Sequence, residues 1–246
     1  ALELRDAVDH FFASARITGL LRRLASDAAA EAGGFEYLEA RRFQDDIATR
    51  LPELRAWFEQ AAAANNLDWR LLAAVGYQES HWSDQARSAD GAAGIMMLTA
   101  ATARAMGVID RGNTMQNIAG GAAYFAQVLR MIPAHVAEPD RTWLALAAYN
   151  VGFGHLEDAR VLAQTHGKDP DSWADVSEYL PWLAQERWYS QARRGYARGW
   201  EPVRFVEQVR SFLAVLEWYG GGQAARVFPS LGTNRGSGSP GREEIS

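Results

Sequence analysis

Apolar side chains recur at three- and four-residue spacing along nearly the whole chain, and sustained alternation of apolar with polar residues is scarce. A period near 3.6 gathers such residues on one stripe of a helix, whereas a half-buried strand needs a period of two. The expected fold class is therefore all-α. At 246 residues the chain can bury most of its unfolded surface in one large domain, or in a domain plus a smaller piece. It contains no cysteine, which excludes disulfides, thiolate zinc sites and a cysteine nucleophile.

Caps and breakers divide the chain. Pro52 suits the first turn of a helix running from Leu51 toward Asn65-Asn66, and Asp68 can cap a second through Trp69 to Val75 and beyond. The stretch 81–98, with Gly91 and Gly94, reads as a loop. Thr99 can cap a helix ending near Gly107. Further helices are expected at about 114–131, stopped by Pro133, and at about 140–151, capped by Asp140 and closed by Gly152. Others fall at about 155–165, 171–180 and 201–219, the last with Pro202 just inside its start. Residues 1–34 form a helical lead-in with a break at Gly19 and an end at Gly33-Gly34. Residues 35–228 make the main domain, and 229–246, rich in Gly and Ser, a disordered tail.

Charge narrows the partners. The 25 basic and 30 acidic residues give a net charge of −5 without like-charged blocks, so no footprint for nucleic acid is present. The five His residues lack metal-ligand spacing, and neither a metal nor a cofactor is expected. No apolar run approaches the roughly 20 residues that span a bilayer. Charges interrupt residues 1–20, unlike a signal peptide. The chain is expected to be cytosolic, or else exported by a signal outside it.

Within the helix expected over 68–80, Leu72, Val75 and Glu79 fall at i, i+3 and i+7, on one stripe. Desolvation there disfavours the charged carboxylate and makes the group a proton donor near neutral pH, as glycosidic bond cleavage requires of its general acid. Spacing alone leaves a second reading open, in which Glu79 is exposed at the helix end or hydrogen-bonded to the loop.

Several motifs in order are more specific. Glu79-Ser80, Ser88 nine positions after the Glu, Gly91-Ala92-Ala93-Gly94-Ile95-Met96 and Ala148-Tyr149-Asn150-Val151-Gly152 resemble those of the family 1 lytic transglycosylases. The segments YQESHW (77–82), GIMMLT (94–99), GGAAYF (120–125), LALAAYNVG (144–152), DSWADV (171–176) and GYARG (195–199) are similar to one membrane-bound branch of that family, over about residues 40–219. The resemblance implies a goose-lysozyme-like fold, no cofactor, and peptidoglycan glycan strands as the partner. It also implies cleavage between N-acetylmuramic acid and N-acetylglucosamine to a 1,6-anhydro product, with Glu79 acting as acid and then as base. A periplasmic, outer-membrane-associated monomer is the corresponding expectation for location and assembly.

It further implies roles for Ser88 and Gly94 in the site, for Met96 and Met97 as cleft lining, and for Tyr149 and Asn150 in orienting Glu79 and the sugar. Trp82, which follows Glu79 closely, is the preferred sugar-stacking candidate among the tryptophans. Each has a plainer reading: Ser88 satisfying its own loop, Met96 and Met97 filling the core, Asn150 ending a helix, Trp82 packed inside. Two departures stand out. Met97 occupies a position where many relatives carry Gln, and Phe205 lies in a late motif that often supplies Tyr. Two rival functions remain: a hydrolytic muramidase with Asp84 or Asp90 as second carboxylate, and a non-catalytic glycan-binding domain. Residues 4–12 and 19–24 resemble the closing helices of a periplasmic solute-binding-like module, which would be regulatory; an amphipathic helix that packs on the catalytic domain is an equally good reading.

Overall fold

The structure, a computed structural model, describes residues 35–220. The lead-in up to residue 34 and the tail 229–246 lie outside the described residues. Among the described residues ten α-helices follow one another: α1 (Phe35–Thr49), α2 (Leu51–Asn65), α3 (Trp69–Ser80), α4 (Ala100–Ala105), α5 (Thr114–Met131), α6 (Asp140–Val151), α7 (Phe153–Thr165), α8 (Trp173–Tyr179), α9 (Glu186–Tyr189) and α10 (Trp200–Gly220), with a 3₁₀ turn at Leu180–Ala184 between α8 and α9. Among the described residues no strand forms; two isolated bridges, Arg87 with Ala93 and Ala93 with Leu98, are the only β pairing. The all-α expectation is met.

The caps explain most boundaries. Asp68 accepts a hydrogen bond from Arg70 N at 2.8 Å, and Thr99 Oγ1 accepts one from Thr102 N at 3.1 Å, so both helices start where a side-chain oxygen can satisfy an orphan amide. Asp140 does not cap α6. Its Oδ1 instead accepts from Trp173 N at 2.8 Å, tying α6 to the start of α8, while Pro139 holds the cap position. Helix α1 is an addition to the expected set. Among its described side chains Phe43 and Ile47, four apart, are buried, while Arg41, Arg42 and Asp45 are exposed.

Two helices are buried on every side. In α3 the run Leu71 to Tyr77 is buried throughout, and in α6 so is Leu144 to Tyr149. Ala73, Ala74 and Gly76 keep α3 thin, so that neighbours can approach around its whole circumference. Helix α10 lies across both α3 and α6, α2 packs on α3 and α5, and α7 carries α8 on its outer side. The stripe read from the sequence, Leu72 and Val75, is thus part of an apolar surface that encircles the helix, and Glu79 sits in the last turn of that buried element. Among the described residues, no helix is long and apolar enough to cross a membrane.

Candidate active site

Glu79 is only part-exposed, and burial lifts its carboxyl pKa to about 8. No opposing cation and no second carboxylate contributes to that shift. Its position in the last turn of α3 works the same way, because the C-terminal end of a helix disfavours negative charge. Near neutral pH the group is therefore mostly a neutral acid with a route to solvent.

The wall beside it is the segment 81–98, fixed to the core at several points. Ser80 Oγ bonds the carbonyls of Gly76 (3.1 Å) and Ile95 (2.9 Å) and accepts from Ser83 N at 3.1 Å, joining the end of α3 to both ends of the loop. Ala93 and Leu98 exchange backbone bonds at 3.0 Å in each direction, closing a tight turn over Gly94 to Met97. Gly94 has φ +81°, and a methyl group there would come within 2.2 Å of Asn117 Nδ2 and 2.4 Å of the Arg111 carbonyl. Only glycine fits both the conformation and the space.

Asn117, on α5, is fully buried and holds this turn from behind. Its Oδ1 accepts from Met96 N at 2.7 Å, and its Nδ2 donates to the carbonyls of Ala93 and Arg111, each at 2.9 Å. Arg111 completes the frame by donating to the carbonyls of Gly91 (2.6 Å) and Leu98 (3.1 Å).

Tyr149 comes from the end of α6. Its ring is packed against Tyr124 (5.2 Å between centroids), Phe125 (6.1 Å) and Phe205 of α10 (6.4 Å, planes 19° apart), and its hydroxyl donates to the Met96 carbonyl at 3.0 Å. Burial, then the nearby Glu79 charge, push its pKa well above the usual phenol range, so it stays a neutral donor.

Residues 56–172 match the family model of the Transglycosylase SLT domain. Over 216 residues, 88% of this chain and 44% of the relative, it is 48% identical to membrane-bound lytic murein transglycosylase F 1 of Alkalilimnicola ehrlichii. Membrane-bound lytic murein transglycosylase F of Stutzerimonas stutzeri is also 48% identical, over 87% of this chain and 44% of its own length. The chain thus spans less than half the length of these curated relatives. Among solved structures, an inactive mutant of the lytic transglycosylase Slt from Pseudomonas aeruginosa aligns with 83% of this chain and 30% of its own, at 24% identity and a TM-score of 0.49.

The SLT match encloses Glu79, Ser88, Gly94, Met96, Met97, Tyr149 and Asn150, and the structure sorts them. Glu79 and Tyr149 lie together. Met96 contributes its backbone only: its side chain is 1% exposed and packs against Gly76 and Gly121, so it fills the core and does not line a cleft. Met97 is half-buried at the tip of the turn with φ +45°, an unusual conformation for a residue with a side chain. Gly94 is buried, and its part in the site is to let the turn reach Asn117. Ser88 Oγ accepts from Ala92 N at 3.0 Å and makes no hydrogen bond to Glu79. Asn150 is exposed, its amide free of hydrogen bonds to the described residues. Trp82 requires a correction. It is 4% exposed, its Nε1 donates to the Ala73 carbonyl at 2.8 Å, and its ring packs on Tyr77 and Phe43, so no face is open to a sugar.

Three residues that pack behind the turn or around Tyr149 carry little signal in the sequence. Asn117 left a weak trace, as a polar residue beside Ile118 on an apolar face of α5. Tyr124 lies in the GGAAYF segment but was not separated from its core neighbours. Phe205, which stands in the late motif that often supplies Tyr, is the ring stacked on Tyr149.

Proposed function

We propose that the chain is a peptidoglycan lytic transglycosylase with Glu79 as its single acid/base. The carrying observation is a carboxyl group held near pKa 8 by burial alone, at the solvent-reaching end of a buried helix. Such a group can give a proton at neutral pH and, once ionised in a poorly solvated place, readily takes one back.

The proposed reaction has two proton movements. Glu79 protonates the glycosidic oxygen as the bond from C1 of N-acetylmuramic acid to that oxygen breaks, releasing the N-acetylglucosamine end as an alcohol. The Glu79 carboxylate then takes the proton of the muramoyl 6-hydroxyl while that oxygen bonds to C1. The product is a 1,6-anhydro sugar, no water is consumed, and Glu79 returns to its starting state. Asn150, exposed and uncommitted, is suited to hold the sugar, and Ser88 still has its hydroxyl proton to donate. Tyr149 acts as a positioning residue, since its hydroxyl is engaged by the Met96 carbonyl. Membrane association belongs to this same reading, supported by the relatives' names as membrane-bound murein transglycosylases; a lysozyme-like fold and a periplasmic, outer-membrane location are its finer parts.

The hydrolytic alternative needs a second carboxylate near the first. Asp84 and Asp90 are exposed loop residues, and neither contributes to the Glu79 shift. Mass spectrometry of digested sacculi tests the choice: the proposal expects muropeptides with anhydro ends, one water lighter than hydrolysis products. Glu79→Gln should abolish their release. Release of reducing ends, or digestion by Glu79→Gln at the parental rate, overturns it.

A further inference from the structure

The stretch from α9 to the start of α10 carries charge that the site described above does not use. From residue 186 to residue 200 there are four arginines, 187, 193, 194 and 198, against the single acid Glu186, in a chain whose net charge is −5. Two of the four are engaged: Arg187 lies over the Trp188 ring at 5.1 Å, and Arg198 pairs with Glu201 at 2.8 Å. Arg193 and Arg194 are exposed, and neither forms an ion pair with any described residue.

These two are nevertheless held firmly by their backbone. Asp158, buried in α7, accepts from Arg193 N at 3.1 Å with one carboxylate oxygen and from Arg194 N at 2.8 Å with the other. A buried carboxylate costs free energy unless it is satisfied, and here its satisfaction consists of fixing two consecutive amides. The side chain of Arg194 then runs across Gly154 in the first turn of α7. A methyl group at 154 would come within 2.6 Å of Arg194 Nε and 2.9 Å of its Cγ. Glycine thus lets the arginine stem lie flat on the turn that follows Tyr149-Asn150, while the guanidinium has no partner among the described residues.

We propose that Arg194 binds a carboxylate of the peptide stems on the glycan strand, so that the chain prefers peptide-bearing strands to naked glycan. The inference rests on the reading of the substrate as peptidoglycan. A planar fork of donors on a stem seated over Gly154, unpaired among the described residues and close to the Asn150 turn, suits bidentate capture of a carboxylate. The stem peptides supply such groups beside the sugars. Asp158 and Gly154 are positioning residues for it.

The test compares the full chain with Arg194→Ala and with Gly154→Ala. The second keeps the charge but lifts its stem, and alanine is the better helix former, so folding is not at risk. Three substrates are used: peptide-bearing strands, the same strands with their carboxylates converted to amides, and strands stripped by an amidase, which retain only the lactyl carboxylate. On peptide-bearing strands both variants should raise KM roughly fivefold, as expected for an exposed charge-assisted contact, with kcat unchanged. On amidated and stripped strands they should match the parent, and added salt should shrink the difference. The same loss of affinity should appear in binding measurements made on a Glu79→Gln background. An equal loss on all three substrates, an equal loss on stripped strands, or no loss of affinity would overturn the proposal. If the parent binds strands selectively but leaves no anhydro ends, the reaction assigned to Glu79 fails while the Arg194 contact stands.

Discussion

The carboxyl of Glu79 should cost the protein stability at the pH where it works, and replacing it with the isosteric amide measures that cost. Its pKa rises from 4.5, the value for an unperturbed side chain, to about 8 in the fold, with burial as the cause. A carboxyl shifted upward on folding releases its proton more readily in the unfolded chain, so stability falls as pH rises between the two values. Below pH 4.5 both states hold the proton and no difference from Glu79→Gln is expected. Between 4.5 and 8 the variant gains roughly 1.4 kcal/mol per pH unit over the parent. That amounts to about 3 kcal/mol at pH 7, with a plateau of about 5 kcal/mol above pH 8. Urea unfolding followed by tryptophan fluorescence at pH 5, 6, 7 and 8 reads this directly from the midpoints, provided the slopes agree. A gap that does not change with pH, or a parent more stable than Glu79→Gln at pH 7, would refute the claim that the acid is held neutral by burial.

Three further outcomes follow from the same geometry. The pH profile of kcat/KM should fall above about pH 8 with a single ionisation, and a second, acidic limb from another carboxylate would count against a lone acid/base. Asn117→Ala leaves the buried Met96 amide and two carbonyls without their partner, so thermal unfolding should show a loss of roughly 2–4 kcal/mol, together with loss of activity. Trp82→Phe removes the indole bond to the Ala73 carbonyl and should lower stability by about 1–2 kcal/mol with KM for glycan strands unchanged; a raised KM would return Trp82 to the cleft.

The sequence was legible where a local device sets the outcome. Asp68 and Thr99 cap the helices they were expected to cap, Pro133 follows the end of α5, and Gly152 with φ +90° closes α6. It was less legible where a side chain serves another part of the chain. Asp140 looks like a cap from its neighbours and is instead an acceptor for Trp173, 33 residues on. Trp82 sits three positions after Glu79 but turns back into the core, because His81 and Trp82 both take left-handed backbone angles, φ 51° and 58°, as the chain leaves α3. Glu79 itself was visible as a carboxylate in an apolar context. What the pattern could not supply was the encirclement of α3, and with it the reason burial alone suffices.

Asn117 also bears on the timescale of motion at the site. A turn whose amide and carbonyls are held by a wholly buried side chain has no partial opening that leaves the rest of the fold intact, so the Met96 amide should exchange its hydrogen only as fast as the whole domain unfolds. The wall beside the acid therefore belongs to the slowest-opening part of the protein. Faster motion near Glu79 must therefore come from segments other than this turn.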